Sequence, residues 1–84
     1  MRTERHAPAA GETFDELFAR ERGPMVRLAY LITGSAAVGE EVAHDAFVAV
    51  YERWGRLEDP GPYLRRCVVN AAIRAKSRKR RGDA

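Results

Sequence analysis

Apolar residues recur along most of this chain at the three- and four-residue spacing of an α-helix, and nowhere as a sustained alternation bounded by turn dipeptides, so an all-α fold is expected. Phe14, Leu17 and Phe18 begin the pattern, and Met25, Leu28, Ala29 and Ile32 continue it. Thr13 is placed to cap the first helix, with Asp15 and Glu16 in the first turn, where acidic groups complement the helix dipole. Gly23-Pro24 predicts a kink or brief break, because proline lacks an amide hydrogen and its ring crowds the preceding turn; Pro24 also suits the start of a further helical segment. Gly34 is the residue best able to end a helix in the left-handed conformation, and Ser35 is placed to cap the next helix.

From about Ala36 to Trp54, the residues Ala43, Ala46, Phe47, Val50 and Trp54 fall on one side of a helix. Glu41, His44, Asp45 and Glu52 fall on the opposite side, interrupted by Val48. The segment Gly55–Pro62, GRLEDPGP, is dense in glycine and proline and predicts a connector, with helix resuming near Pro62 or Tyr63. Leu64, Cys67, Val68, Ala71 and Ala75 then form an apolar stripe whose alanines let a neighbouring helix approach closely. Arg66, Asn70, Arg74, Ser77 and Arg81 cluster within about a quarter-turn on the other face. Val69 and Ile73 lie between the stripes, partly exposed, either to contact a base or to flank the core. The expected architecture is a compact bundle of three to four helices over residues 13–81, with a flexible leader at 1–12. Residues 82–84 are expected to be a frayed end or the start of a linker, and the whole run KSRKRRGDA to order fully only against phosphates.

Charge divides the chain. Residues 1–59 carry 7 basic and 11 acidic side chains, whereas residues 60–84 carry 8 basic side chains and only Asp83 as an acid. The two parts, at −4 and +7, give the overall +3 and imply a polyanion for the C-terminal end and a basic partner for the middle. The plainer reading of the basic end is a solvated tail. At 84 residues a second catalytic lobe is excluded. No apolar run approaches the ~20 residues of a membrane span, and Met1 to Gly11 lacks the apolar stretch of a signal peptide, so a cytoplasmic location is expected. Cys67 reads as a small buried apolar residue, and His6 and His44 make no metal-ligand spacing with it, so no metal or other cofactor is expected. There is no glycine-rich phosphate loop, nucleophile elbow or internal repeat.

The stretch from Phe14 to Arg81 resembles region two of the extracytoplasmic-function sigma factors of bacteria. It is carried by FDELFARERGPMVRLAYLITGS, then EEVAHDAFVAVYERWGRL, then YLRRCVVNAAIRAKSRKRR, in that order. An acidic helix ending in an aromatic, a short Gly/Pro loop and an Asn-bearing basic helix together make the match specific; each alone is weak. The resemblance implies a domain that binds core RNA polymerase, recognises the minus-ten promoter element and helps to melt it, without enzymatic activity. It places Glu41, His44, Asp45, Val48 and Glu52 against the clamp coiled coil of the beta-prime subunit, where acidic groups steer association and set register. The family usually carries Gln where this chain has His44, which still offers hydrogen-bonding nitrogens but makes that contact sensitive to pH.

The same resemblance implies that the loop before the last helix captures an unstacked base of the non-template strand, with Arg56, Leu57, Glu58, Asp59 and Pro62 as its residues. Leu57 and Pro62 would wall the pocket, and Glu58 or Asp59 would accept from an exocyclic amine; an ordinary interhelical turn looks similar. Asn70 matches a DNA-facing position of the family, and its amide both donates to and accepts from a base edge. Arg65, Arg66, Arg74, Arg78, Lys79, Arg80 and Arg81, with Ser77 among them, are the candidate backbone contacts. Tyr51, Trp54 and Tyr63 are able to stack on bases, although Trp54 lies on the core stripe and is assigned to packing first.

Complete members of this family carry a second helix-turn-helix domain for the minus-thirty-five element, and the chain stops where the linker to it would begin. It is therefore either a fragment or a form without that domain, and acting alone it would hold promoter DNA weakly. An anti-sigma factor is a further possible partner. The main rival reading is a small helical module that binds polymerase or an anti-sigma partner without specific DNA recognition. A helix-turn-helix repressor is disfavoured by the long Gly/Pro connector. An enzyme is disfavoured because Glu40, Glu41 and Asp45 would need a pocket and a perturbed environment to act as acid or base.

Overall fold

The Thr13 hydroxyl accepts a hydrogen bond from the Glu16 amide at 3.1 Å while the Glu16 carboxylate accepts from the Thr13 amide at 3.0 Å, a reciprocal capping box that starts the first helix. This helix, α1, spans Phe14–Thr33 and ends at Gly34, whose φ of 75° is the left-handed conformation expected of it. Ser35 follows as the N-cap of α2, Ala36–Glu52, accepting from the Val38 amide at 3.2 Å. A single 3-10 turn, Trp54–Arg56, leads to α3, Pro60–Asp83. The computed structural model of the protein describes residues 11–83, apart from the side chains of Arg80, Arg81 and Asp83; most of the expected leader, at 1–10, lies outside the described residues. Among the described residues there is no strand, and the fold is the expected all-α bundle, of three helices.

Two expectations from the local pattern differ in the structure. The break at Gly23-Pro24 does not occur: α1 runs through with Pro24 inside it. Proline in a helix interior costs about 3 kcal/mol. Here Gly23 and Pro24 are both exposed, as is Arg20 one turn back, so the proline ring displaces no core side chain. Phe14 and Ile32, 18 residues apart, both pack against the core, which at 3.6 residues per turn requires the register to carry straight through. The connector is also shorter than the composition suggested. Helix α3 begins at Pro60, so Pro62 stands in its first turn and not in the loop. Both prolines occupy positions whose amide hydrogens a helix start leaves unpartnered anyway, and the fixed φ of Pro60 suits the opening residue. Helix α3 runs to Asp83.

All three helices contribute to one core. Leu17, Met25 and Ala29 come from α1; Val42, Ala43, Ala46, Phe47 and Val50 from α2; Leu64, Val68 and Ala72 from α3. The stripe of α3 is rotated slightly from its expected centre: Ala72 is fully buried, while Cys67, Ala71 and Ala75 are only partly covered. Cys67 is thus not the fully buried residue that its type suggested. Gly39 sets the spacing of α1 and α2. It is buried, and a methyl group there would lie 3.0 Å from the Tyr30 backbone nitrogen and 3.3 Å from its Cα. Glu12, just before α1, is tied to the bundle by paired hydrogen bonds from Arg20 at 3.0 and 3.2 Å, and this bonding raises the Arg20 pKa above its ordinary value.

Candidate nucleic-acid and polymerase interfaces

Helix α3 turns its apolar side inward through Leu64, Val68 and Ala72, which obliges the residues about half a turn away to face solvent. Arg65, Arg66, Asn70, Arg74, Ser77, Arg78 and Lys79 are all exposed, as is Lys76, which the sequence reading left out of this set. Arg81 shares the strip by its position on the helix, but its side chain lies outside the described residues. Among the described residues the ion pairs are those of Arg20 with Glu12 and Glu21, so none of the described cations of α3 has an acidic partner among the described residues. A groove of about 380 Å³ opens along the strip between Ile73, Arg74, Ser77 and Arg78. Asn70 projects from the turn before it.

The connector before α3 divides the residues expected to form a base pocket. Arg56 and Glu58 are exposed, Leu57 and Asp59 are partly buried, and Leu57 packs against the core. The Leu57 amide bonds to the Trp54 carbonyl at 3.4 Å, closing the 3-10 turn. Asp59 Oδ1 is enclosed and has no hydrogen-bond partner among the described residues, whereas the Glu58 carboxylate stands in solvent. Pro62 belongs to α3. The connector is therefore Arg53–Asp59, built on a turn with its own backbone bonds.

On α2, burial of Ala43, Ala46, Phe47 and Val50 turns Glu41, His44, Asp45, Val48 and Glu52 outward, and all five are exposed. Beside this acidic face lies an apolar groove of about 230 Å³ lined by Phe14, Phe18, His44, Phe47, Val48 and Tyr51. Its floor is an aromatic cluster. The Phe14 ring meets Phe47, Tyr51 and Trp54 edge to face at 6.2, 5.1 and 5.7 Å between centroids, and Phe18 meets Phe47 at 4.8 Å. Trp54 is thereby committed to packing, as its place on the core stripe suggested, while Tyr51 is 64% exposed. Phe18 was expected on the inner side of α1 but is 37% exposed at the rim of this groove. The neighbourhood of His44 and Val48 was legible in the sequence, because they repeat at helical spacing, whereas Tyr51, expected as a base-stacking residue, lies in this groove beside them. The contribution of Phe18 was not, because it comes from another helix.

The bundle therefore presents an acidic face with an apolar border on one helix and, on another, a cationic strip with an amide and without an acidic partner among the described residues. Among the described residues no helix is long and apolar enough to cross a membrane. No match is found among curated proteins or among solved structures. The family described as Sigma-70 region 2 matches residues 17–82, from the first fully buried leucine of α1 almost to the end of α3. That family is a non-enzymatic transcription-factor domain of polymerase binding and promoter recognition. With both helical faces and the connector inside the matched span, the chain belongs to the Sigma-70 region 2 family.

Proposed function

We propose that the chain is the promoter-engaging domain of a bacterial sigma factor of the extracytoplasmic-function group, acting in the cytoplasm. In this reading the exposed face of α2, Glu41, His44, Asp45, Val48 and Glu52, docks on the clamp coiled coil of the polymerase beta-prime subunit. Charge on that face steers the encounter and fixes its register, and the apolar groove beside it supplies area that becomes dry on docking. The strip on α3 then lies along the non-template strand of the minus-ten element. Its arginines and lysines hold phosphates, and Asn70 reads a base edge. The connector takes an extruded base, with Arg56, Leu57, Glu58 and Asp59 around it.

The observation that carries this reading is the exposed row Arg66, Asn70, Arg74, Ser77 on the outer side of α3, whose cations have no acidic partner among the described residues. A solvated basic tail needs no amide in the middle of its cations and no rigid helix to order them. Fluorescence anisotropy with matched and scrambled non-template strands, with and without core polymerase, tests it. Weak binding alone and tighter, sequence-selective binding with core is the expected outcome. Equal binding to both strands in the presence of core would leave a protein-interaction module for polymerase or an anti-sigma factor, and a pull-down with purified core polymerase would then separate those two partners.

A further inference from the structure

The geometry points to Ile73 as the residue that makes this surface selective for thymine, through contact with the C5-methyl group of one base of the non-template strand. The inference rests on the reading of α3 as the DNA-facing helix and adds a chemical class of base to it. An isolated exposed isoleucine carries no meaning by itself. This one is 53% exposed and is not among the buried residues of the core, although Ala72 beside it is fully buried. It lines the groove of about 380 Å³ with Arg74, Ser77 and Arg78, as the one apolar side chain among two guanidinium groups and a hydroxyl. Asn70 stands three residues earlier, on the adjacent turn of the same side.

That mixture matches what a thymidine nucleotide offers. Guanidinium groups suit the flanking phosphates, the Ser77 hydroxyl and Asn70 amide suit polar base edges, and the aliphatic group suits a methyl. Thymine is the one standard DNA base that carries a methyl group, and apolar side chains are its usual partners. For purely electrostatic binding a further lysine or arginine at position 73 would serve better, because phosphate contacts reward charge alone. An isoleucine in the middle of the strip gains only from a partner that is itself apolar, and covering it removes from water a side chain the bundle leaves wet.

The test is a selection with the chain bound to core polymerase, using pools of single strands with a randomised segment, synthesised once with thymine and once with uracil in its place. The unmodified protein should enrich thymine at one position by about threefold to fourfold, the value of one buried methyl group. The uracil pool should show no enrichment there. Ile73→Ala should lose the thymine preference in the first pool while keeping the preferences at other positions, with an unchanged circular dichroism spectrum. Equal enrichment of thymine and uracil, retention of the preference by Ile73→Ala, or selectivity confined to positions without thymine would overturn the inference and leave the promoter-binding reading intact. Absence of enrichment at every position would overturn that parent reading and this inference with it. The thymine-to-uracil comparison uses the unmodified chain, so the outcome does not depend on how the variant folds.

Discussion

Replacing Arg66, Arg74 and Arg78 together by glutamine should change how promoter-strand binding depends on salt, with little effect on the fold. All three side chains are exposed and have no acidic partner among the described residues. Surface changes of this kind alter stability by less than about 0.5 kcal/mol, and glutamine keeps a good helix propensity. Removing the like charges of Arg74 and Arg78, four residues apart, should if anything raise the melting temperature slightly. On a single strand each neutralised phosphate contributes about −0.7 to the slope of log K against log salt, so three contacts contribute about −2. Between roughly 50 and 200 mM salt a slope difference of that size amounts to about twentyfold in affinity. The wild-type advantage should therefore be large at low salt and shrink about twentyfold across that range. Anisotropy titrations with core polymerase present give both lines. Parallel lines would mean that these cations do not touch phosphate and that the strip faces something other than nucleic acid.

Other changes separate the remaining roles. Asn70→Ala should relax discrimination at one base position by about 1–3 kcal/mol while leaving the salt slope unchanged, the reverse of the arginine variants, as strand-by-strand titrations would show. Glu41→Lys with Asp45→Lys should abolish capture by core polymerase at an unchanged melting temperature; full retention would remove α2 from the docking surface. Gly39→Ala gains about 1 kcal/mol of helix propensity. It also sets a methyl group 3.0 Å from the Tyr30 backbone nitrogen and 3.4 Å from the Val26 carbonyl oxygen, and overpacking of this kind costs about 1–3 kcal/mol. The net expectation is a loss of roughly 1 kcal/mol in urea unfolding, larger for Gly39→Val, and a stabilised Gly39→Ala would show that α1 and α2 can separate without penalty.

The features of this fold that were legible in the sequence are those decided within a few residues of chain. Thr13, Gly34 and Ser35 act where they were expected because capping is a contact between a side chain and its own backbone neighbourhood. Pro24 and Pro60 were misread for the complementary reason. Proline's local penalty is visible in sequence, but the burial that keeps Phe14 and Ile32 in one register is not, nor is the fact that an opening turn has no use for the missing hydrogens. The candidate surfaces divide in the same way. Exposure of Glu41, Asp45, Asn70 and Arg74 follows from helical period once the inward stripe is known. The partial exposure of Ile73 follows from its place between the two stripes of α3, whereas Phe18 at the rim of the α2 groove depends on how far a neighbouring helix reaches, and no periodicity encodes that.

The value of a three-helix core for such a domain lies in what it does to the two faces it carries. Phe47 and Val50 of α2 are in the same core as Leu64 and Val68 of α3, so the acidic face and the cationic strip are outward sides of helices whose inner sides are held by one close-packed interior. The chain between the two helices, Arg53–Asp59, is short and partly fixed by its 3-10 turn. Under the proposed function, a flexible connector would let the strip search many orientations after α2 had docked, and that freedom would dilute the local concentration of Asn70 and the arginines at the strand. With rigid packing, a protein that binds through the acidic face also fixes where the cationic strip lies. Under the proposed function, weak contacts on α3 then suffice, because most of the orientational entropy of placing them has been removed by the first partner.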